Sequence, residues 1–176
     1  MQNAAINWQT YEITKSALAL GGLGLARLVP VVLFSLAGGV VADTRNRRHV
    51  MLVTQSVMMG GALLLAVVTG LGIVNAWWIY TAGAITAAAA AFDLPSRQSL
   101  TPNLVPRQDL TNAITLGNMV FQIASIAGPG IAGILIGRFG VGIIYWINAL
   151  SFLALLGALL LMRTPTPPKL QASAPP

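Results

Sequence analysis

From Val50 through Phe92 the chain carries no Asp, Glu, Lys or Arg. A soluble domain turns charged side chains outward throughout, and roughly a quarter of its residues are charged. An uncharged run this long has no face for water and reads as two membrane-crossing helices, each needing about 20 apolar residues. The rest of the chain agrees: 56% of its 176 residues are hydrophobic and 8% are charged, with mean hydropathy +0.76. The expected fold is all-α, a polytopic bundle of transmembrane helices in the lipid bilayer. A net charge of +6 would suit nucleic acid on a soluble protein. Here the basic residues fall between apolar runs, so no nucleic-acid partner is expected. The absence of cysteine excludes a disulfide framework and thiolate chemistry. The one histidine, His49, reads as an interfacial residue rather than a proton carrier.

Residues 1–16 are too short and polar for a span. They read as the tail of a helix followed by an external loop, with Trp8 and Tyr11 at the membrane interface. No basic segment precedes an apolar core there, which argues against a signal peptide. Five spans are expected over 17–42, 50–74, 76–92, 110–137 and 141–162, with Pro30 bending the first. In the third, Ala84, Ala87 and Ala91 share a face with Tyr80, which suits close packing in lipid. Between the third and fourth, Pro95, Pro102 and Pro106 should break 93–109 into turns or one short interfacial helix. Pro106 would open the next helix and Asp109 would lie near its positive end. The tail over 163–176, rich in Pro, Ala and Thr, reads as the start of a cytoplasmic linker.

Charge sets the orientation. Arg45, Arg47, Arg48, Arg97, Arg107, Arg163 and Lys169 fall on one side of the membrane, against Lys15 and Arg138 on the other. The richer side should be cytoplasmic. The N-terminus then lies outside, which suggests that most of a first helix precedes this chain and that the chain is a fragment.

Few residues could carry chemistry at membrane depth. Arg27 lies about ten residues, roughly 15 Å, into its span. A charge there is costly and marks a functional candidate, the alternative being a structural arginine bonded to carbonyls and water. All four acids (Glu12, Asp43, Asp93 and Asp109) fall near membrane edges. The partner of Arg27 must be a polar side chain, a segment outside the chain or an anionic substrate group. In the fourth span Thr115, Asn118, Gln122 and Ser125 share one helical face. Such a stripe should meet other helices or line a water-filled cavity, and Arg27, Asn118 and Gln122 are the candidate cavity residues. Beside it, Pro129 should bend the helix while Gly128 and Gly133 admit a neighbour. No metal cluster, cofactor loop or enzyme motif occurs, and no acid or histidine at membrane depth is placed for general acid–base work, so neither an enzyme nor a cofactor is expected.

The most distinctive stretch is Gly39 to Arg48, a charged turn between two spans. Gly39 would let another backbone approach, Asp43 would end the helix, and Asn46 would take a left-handed turn conformation. The spacing resembles the loop between helices two and three of the major facilitator superfamily, Gly-x-x-x-Asp-(Arg/Lys)-x-Gly-(Arg/Lys)-(Arg/Lys). Gly39, Asp43, Arg47 and Arg48 match it, while Thr44 and Asn46 depart. Gly128, Pro129 and Gly133 resemble the fifth-helix signature of the superfamily's antiporters, from which Ala132 departs. The segments from Asp93 to Gln98 and from Leu104 to Ala113 look like the link between helices four and five in its enterobactin-exporter-like branch, and Ser16 to Gly21 like the start of helix two there.

The resemblance implies helices two to six of the N-terminal half of a secondary transporter, exporting a small molecule across the bacterial inner membrane. It implies a missing C-terminal half as partner, with Asp43 meeting a helix end in that half and the loop arginines pairing with Asp93, so that Gly39, Asp43, Arg47, Arg48 and Asp93 close the cytoplasmic side. Asp93 is expected within ion-pair reach of Arg47, Arg48 or Arg97, since all four cluster at that boundary. The alternative is a small non-transporting membrane protein with an assembly or regulatory role.

Overall fold

The computed structural model describes residues 1–161, apart from the side chains of residues 42, 43, 101–104 and 107. The linker expected over 163–176 and the side chain of Asp43 lie outside the described residues. The elements are α1 (Gln2–Thr14), α2 (Ala17–Thr44), α3 (Arg47–Gly70), α4 (Ala76–Leu104), α5 (Leu110–Phe139) and α6 (Gly142–Leu161), with a 3-10 turn (Arg107–Asp109) before α5. No strand occurs among the described residues. The all-α expectation holds, and α2, α3, α5 and α6 are each long and apolar enough to cross a membrane. α4 is as long, at 29 residues, but its alanines, Thr81, Thr86 and Asp93 dilute its hydropathy.

Local chemistry sets most boundaries. Lys15 adopts the left-handed conformation (φ 49°) that closes α1. Its N–H donates to the Tyr11 carbonyl at 2.8 Å. At the next boundary Asn46 is extended (φ −64°, ψ 110°) rather than left-handed, because it caps α3. Its Oδ1 accepts from the backbone N–H of Arg48 at 3.1 Å and of His49 at 3.4 Å. Arg47 and Arg48 therefore belong to the first turn of α3 instead of a loop. Asn75 caps α4 in the same way, accepting from Trp78 N–H at 3.1 Å.

The expected break at Pro95 does not occur, and α4 runs through it to Leu104. Proline has no N–H for the carbonyl four residues back, here that of Ala91. That carbonyl lies against α2 at Gly38, where an added Cβ would sit 2.3 Å from the Ala91 oxygen. A glycine on the neighbouring helix thus shelters the orphaned carbonyl, and α4 continues. The close approach falls at Gly38, whereas Gly39 has nothing within 4 Å.

α4 is the centre of the packing. It lies against both α2 and α3, α3 continues onto α6, and α2 and α3 touch each other little. The core joins Leu23, Leu65, Ile79, Ala82, Ile144 and Tyr145 with Ala5 and Ile6 of α1. α1 is thus a packed helix, with Trp8 and Tyr11 on its exposed side. By contrast α2 and α5 display large apolar side chains outward, among them Leu36 at 83% and Ile126 at 79% exposure. Surfaces of that kind suit lipid or further protein.

Candidate functional site

Two polar groupings interrupt the apolar bundle. The first joins the start of α3, the second half of α4 and the last described turn of α6. Asp93 is buried there, and three side chains serve its carboxylate. Thr54 Oγ1 donates at 3.0 Å and Gln55 Nε2 at 2.8 Å, both to Oδ1. Arg97 Nη2 donates to Oδ2 at 3.2 Å from one turn further along α4. A buried carboxylate requires this many donors, because desolvation without them is expensive.

The two arginines of the α3 start turn elsewhere. Arg47 Nη1 donates to the Ser99 carbonyl of α4 at 2.9 Å. Arg48 donates through Nε to the Leu159 carbonyl at 2.7 Å and through Nη2 to the Leu160 carbonyl at 2.8 Å. Those carbonyls lie in the last described turn of α6. Of the three arginines expected within ion-pair reach of Asp93, Arg97 is the one that pairs with it, while the implied bonds from Arg47 and Arg48 go elsewhere. Asp93 is served within its own helix and by α3, and Arg47 and Arg48 reach main-chain oxygens. Bridging both α4 and α6, they tie the charged end of α3 to two other helices.

The second grouping is deeper. Arg27 is half-buried on α2, beside Gly83 of α4. A Cβ at Gly83 would lie 3.5 Å from Arg27 Nε and 3.7 Å from its Cγ. Its Nη2 is buried without a hydrogen-bond partner, and it is near enough to Tyr145 of α6 for the two to interact electrostatically. Tyr145 is itself fully buried and donates to Gln9 Oε1 at 2.8 Å. Gln9 Nε2 then donates to Thr69 Oγ1 at 3.0 Å. This chain links α6, α1 and α3, and a contact between Asn148 and Gln2 extends it along α1.

The α5 candidates behave differently. Thr115, Asn118, Gln122 and Ser125 are all exposed. The one hydrogen bond among them stays within the helix, from Ser125 Oγ to the Gln122 carbonyl at 2.8 Å. No hydrogen bond joins Arg27 to Asn118 or Gln122 among the described residues. Gly128 is buried against Met1, just before α1, where an added Cβ would lie 3.2 Å from the Met1 nitrogen. Ala132 is buried one turn on, whereas Pro129 is exposed and Gly133 has nothing within 4 Å.

A family model described as "transmembrane secretion effector" matches residues 1–173. The chain belongs to this family, within the major facilitator superfamily. Over 173 residues this secretion-effector chain is 23% identical to an MFS-type transporter of Bacillus subtilis, covering 98% of this chain and 40% of that protein. It is 26% identical over 160 residues to macrolide efflux protein A of Streptococcus pyogenes, covering 91% and 38%. It is 30% identical over 161 residues to an enterobactin exporter of Salmonella choleraesuis, covering 91% and 37%. The chain thus spans about 40% of the length of these curated relatives. No solved structure matches it.

Three features of this family member escaped the sequence. The α6 carbonyls that Arg48 reaches lie more than a hundred residues away and leave no trace near Arg48. Gly38 is one of two adjacent glycines, and only the approach of Ala91 distinguishes them. The Gln9 network had a signal, since Gln2 and Gln9 stand two turns apart on one face of α1.

Proposed function

We propose that the chain forms helices two to six, with the end of helix one, in the N-terminal half of a secondary exporter of the bacterial inner membrane. In this reading α4 is the fifth membrane span beside α2, α3, α5 and α6, and the end bearing Arg45, Arg47 and Arg48 faces the cytoplasm. Two six-helix halves of such a transporter rock around a site near the midplane. Membership of the family and relatives named as efflux proteins and exporters support this.

Arg27 carries the reading. Its Nη2 is buried without an acceptor, and an unmet buried donor costs about 1–3 kcal/mol. No acid of this chain lies at that depth in sequence, so an anionic or carbonyl-bearing substrate is the natural acceptor. Arginine stays protonated and cannot itself couple transport to a proton gradient. The exposed stripe through Asn118 and Gln122, without a partner helix in this chain, would line the same water-filled path facing the other half. The bend region at Gly128, Pro129 and Gly133 would let α5 adapt to its neighbours.

At the cytoplasmic end, Gly39, Asp43, Arg47, Arg48 and Asp93 would form the gate. Arg47 and Arg48 would hold α3, α4 and α6 together as one body, leaving Asp43 to engage the opposite half.

The test is efflux by the complete protein in a host lacking its own pumps. Arg27→Lys keeps charge but loses the planar fork and should impair export of an anionic substrate. Arg27→Gln should impair it further, with the protein still abundant in the membrane. Normal export by Arg27→Gln overturns the substrate role, and loss of the protein from the membrane assigns Arg27 to structure.

A further inference from the structure

A groove of about 650 Å³ runs between α2 and α3 with α4 as its floor. It exists because α2 and α3 both pack on α4 while barely touching each other. Its walls are apolar, from Phe34 on α2, Val53 and Val57 on α3, and Ile85 on α4. Phe34 and Phe92 meet across its floor with ring centroids 5.8 Å apart. From His49 to Val57 it follows α3 for eight residues, about 12 Å into the bundle.

Its mouth differs. Arg45 and His49 stand there, both exposed. Neither side chain makes a hydrogen bond or ion pair to the protein among the described residues, in contrast to Arg47 and Arg48 between them in sequence. A cation and an imidazole at the membrane boundary, above an apolar slot running inward, match one chemistry: a phosphate headgroup with an acyl chain below it.

We propose that this groove holds a phospholipid with an anionic headgroup, its phosphate against Arg45 and His49 and one acyl chain between α2 and α3. The inference rests on the reading that α2, α3 and α4 cross the membrane, and it does not require transport. The lipid would fill the gap between two helices that lack mutual contacts and so stabilise their splay over α4. A basic residue near an anionic lipid surface contributes about 1 kcal/mol, or about fivefold in affinity.

The test is native mass spectrometry of the full-length protein, delipidated in detergent and titrated with phosphatidylglycerol or phosphatidylethanolamine. The wild type should retain phosphatidylglycerol preferentially, and Arg45→Gln should weaken that binding about fivefold, weaken phosphatidylethanolamine less, and so reduce the preference between them. Ala88→Phe, which fills the groove, should remove both, and Arg138→Gln outside the groove should remove neither. Equal binding of the two lipids, or lipid retained by Ala88→Phe, overturns the proposal. Ala88→Phe that blocks export yet keeps the lipid also overturns it, and gives the groove to substrate. Should Ala88→Phe fail to accumulate, phosphatidylglycerol with a photoreactive acyl chain decides on the wild type. Crosslinks should fall within 34–57 and 85–92, and crosslinks confined elsewhere contradict the proposal. Selective lipid retention by a protein that exports nothing would leave the groove in place and remove only the transport reading.

Discussion

Replacing Gly38 by alanine adds a single methyl group, and the structure says where it must go. The new Cβ would lie 2.3 Å from the Ala91 oxygen, 3.0 Å from the Ala91 carbonyl carbon and 3.4 Å from Phe92 Cα. Each obstacle is backbone, so no side chain can rotate away. Restoring an ordinary contact of about 3.4 Å requires α2 and α4 to separate by roughly 1 Å, in an interior packed too tightly to absorb it. Overpacking of this kind costs about 1–3 kcal/mol, and separation would also uncover the carbonyl left unpaired by Pro95. Gly39→Ala is the matched control. Nothing lies within 4 Å of its added methyl, and alanine is the better helix former by up to about 1 kcal/mol. Reversible unfolding in mixed micelles should therefore show Gly38→Ala destabilised and Gly39→Ala unchanged or slightly more stable. Equal stability of Gly38→Ala and the wild type, or greater damage from Gly39→Ala, would refute the assignment of the close contact.

Other substitutions test the polar groupings. Asp93→Ala strands the buried amide of Gln55, while Thr54 keeps the Met51 carbonyl as acceptor, and should cost about 1–3 kcal/mol in the same assay. Arg97→Ala removes an ion pair whose cation is half exposed and should cost about 1 kcal/mol or less. Arg48→Gln loses the bonds to the Leu159 and Leu160 carbonyls, and hydrogen exchange should quicken in the last described turn of α6 while α2 is unaffected. Tyr145→Phe leaves Gln9 Oε1 without its buried donor and should cost about 1–3 kcal/mol. A double-mutant cycle with Thr69→Val should show coupling through Gln9.

The apolar runs located α2, α3, α5 and α6 within a few residues, because a bilayer demands length and hydropathy that little else in a sequence supplies. What failed was anything decided by a neighbour. Pro95 predicts a break by its own chemistry, yet a helix survives a lost hydrogen bond when an adjacent helix covers the carbonyl, as Gly38 does. Asn46 offers both a left-handed turn and a cap, and the two waiting N–H groups of Arg48 and His49 decide for the cap. Arg27 was recognisable as exceptional from its depth alone. Its seat beside Gly83, with no hydrogen bond to the α5 stripe among the described residues, follows from helix rotation, which a nearly uniform apolar sequence does not encode.

The central claim is that these helices cross a membrane with the arginine-rich end of α3 in the cytoplasm. The sequence contains no cysteine, so single introduced thiols report without background. Asn46 and Asn75 mark the two ends of α3, but both are helix caps, and replacing either would itself destabilise a helix. Thr44 and Ile73 are exposed neighbours of those ends. A membrane-impermeant maleimide added to intact cells should label Ile73→Cys and spare Thr44→Cys until the membrane is opened. Labelling of both from outside, or of Thr44→Cys alone, would contradict the account.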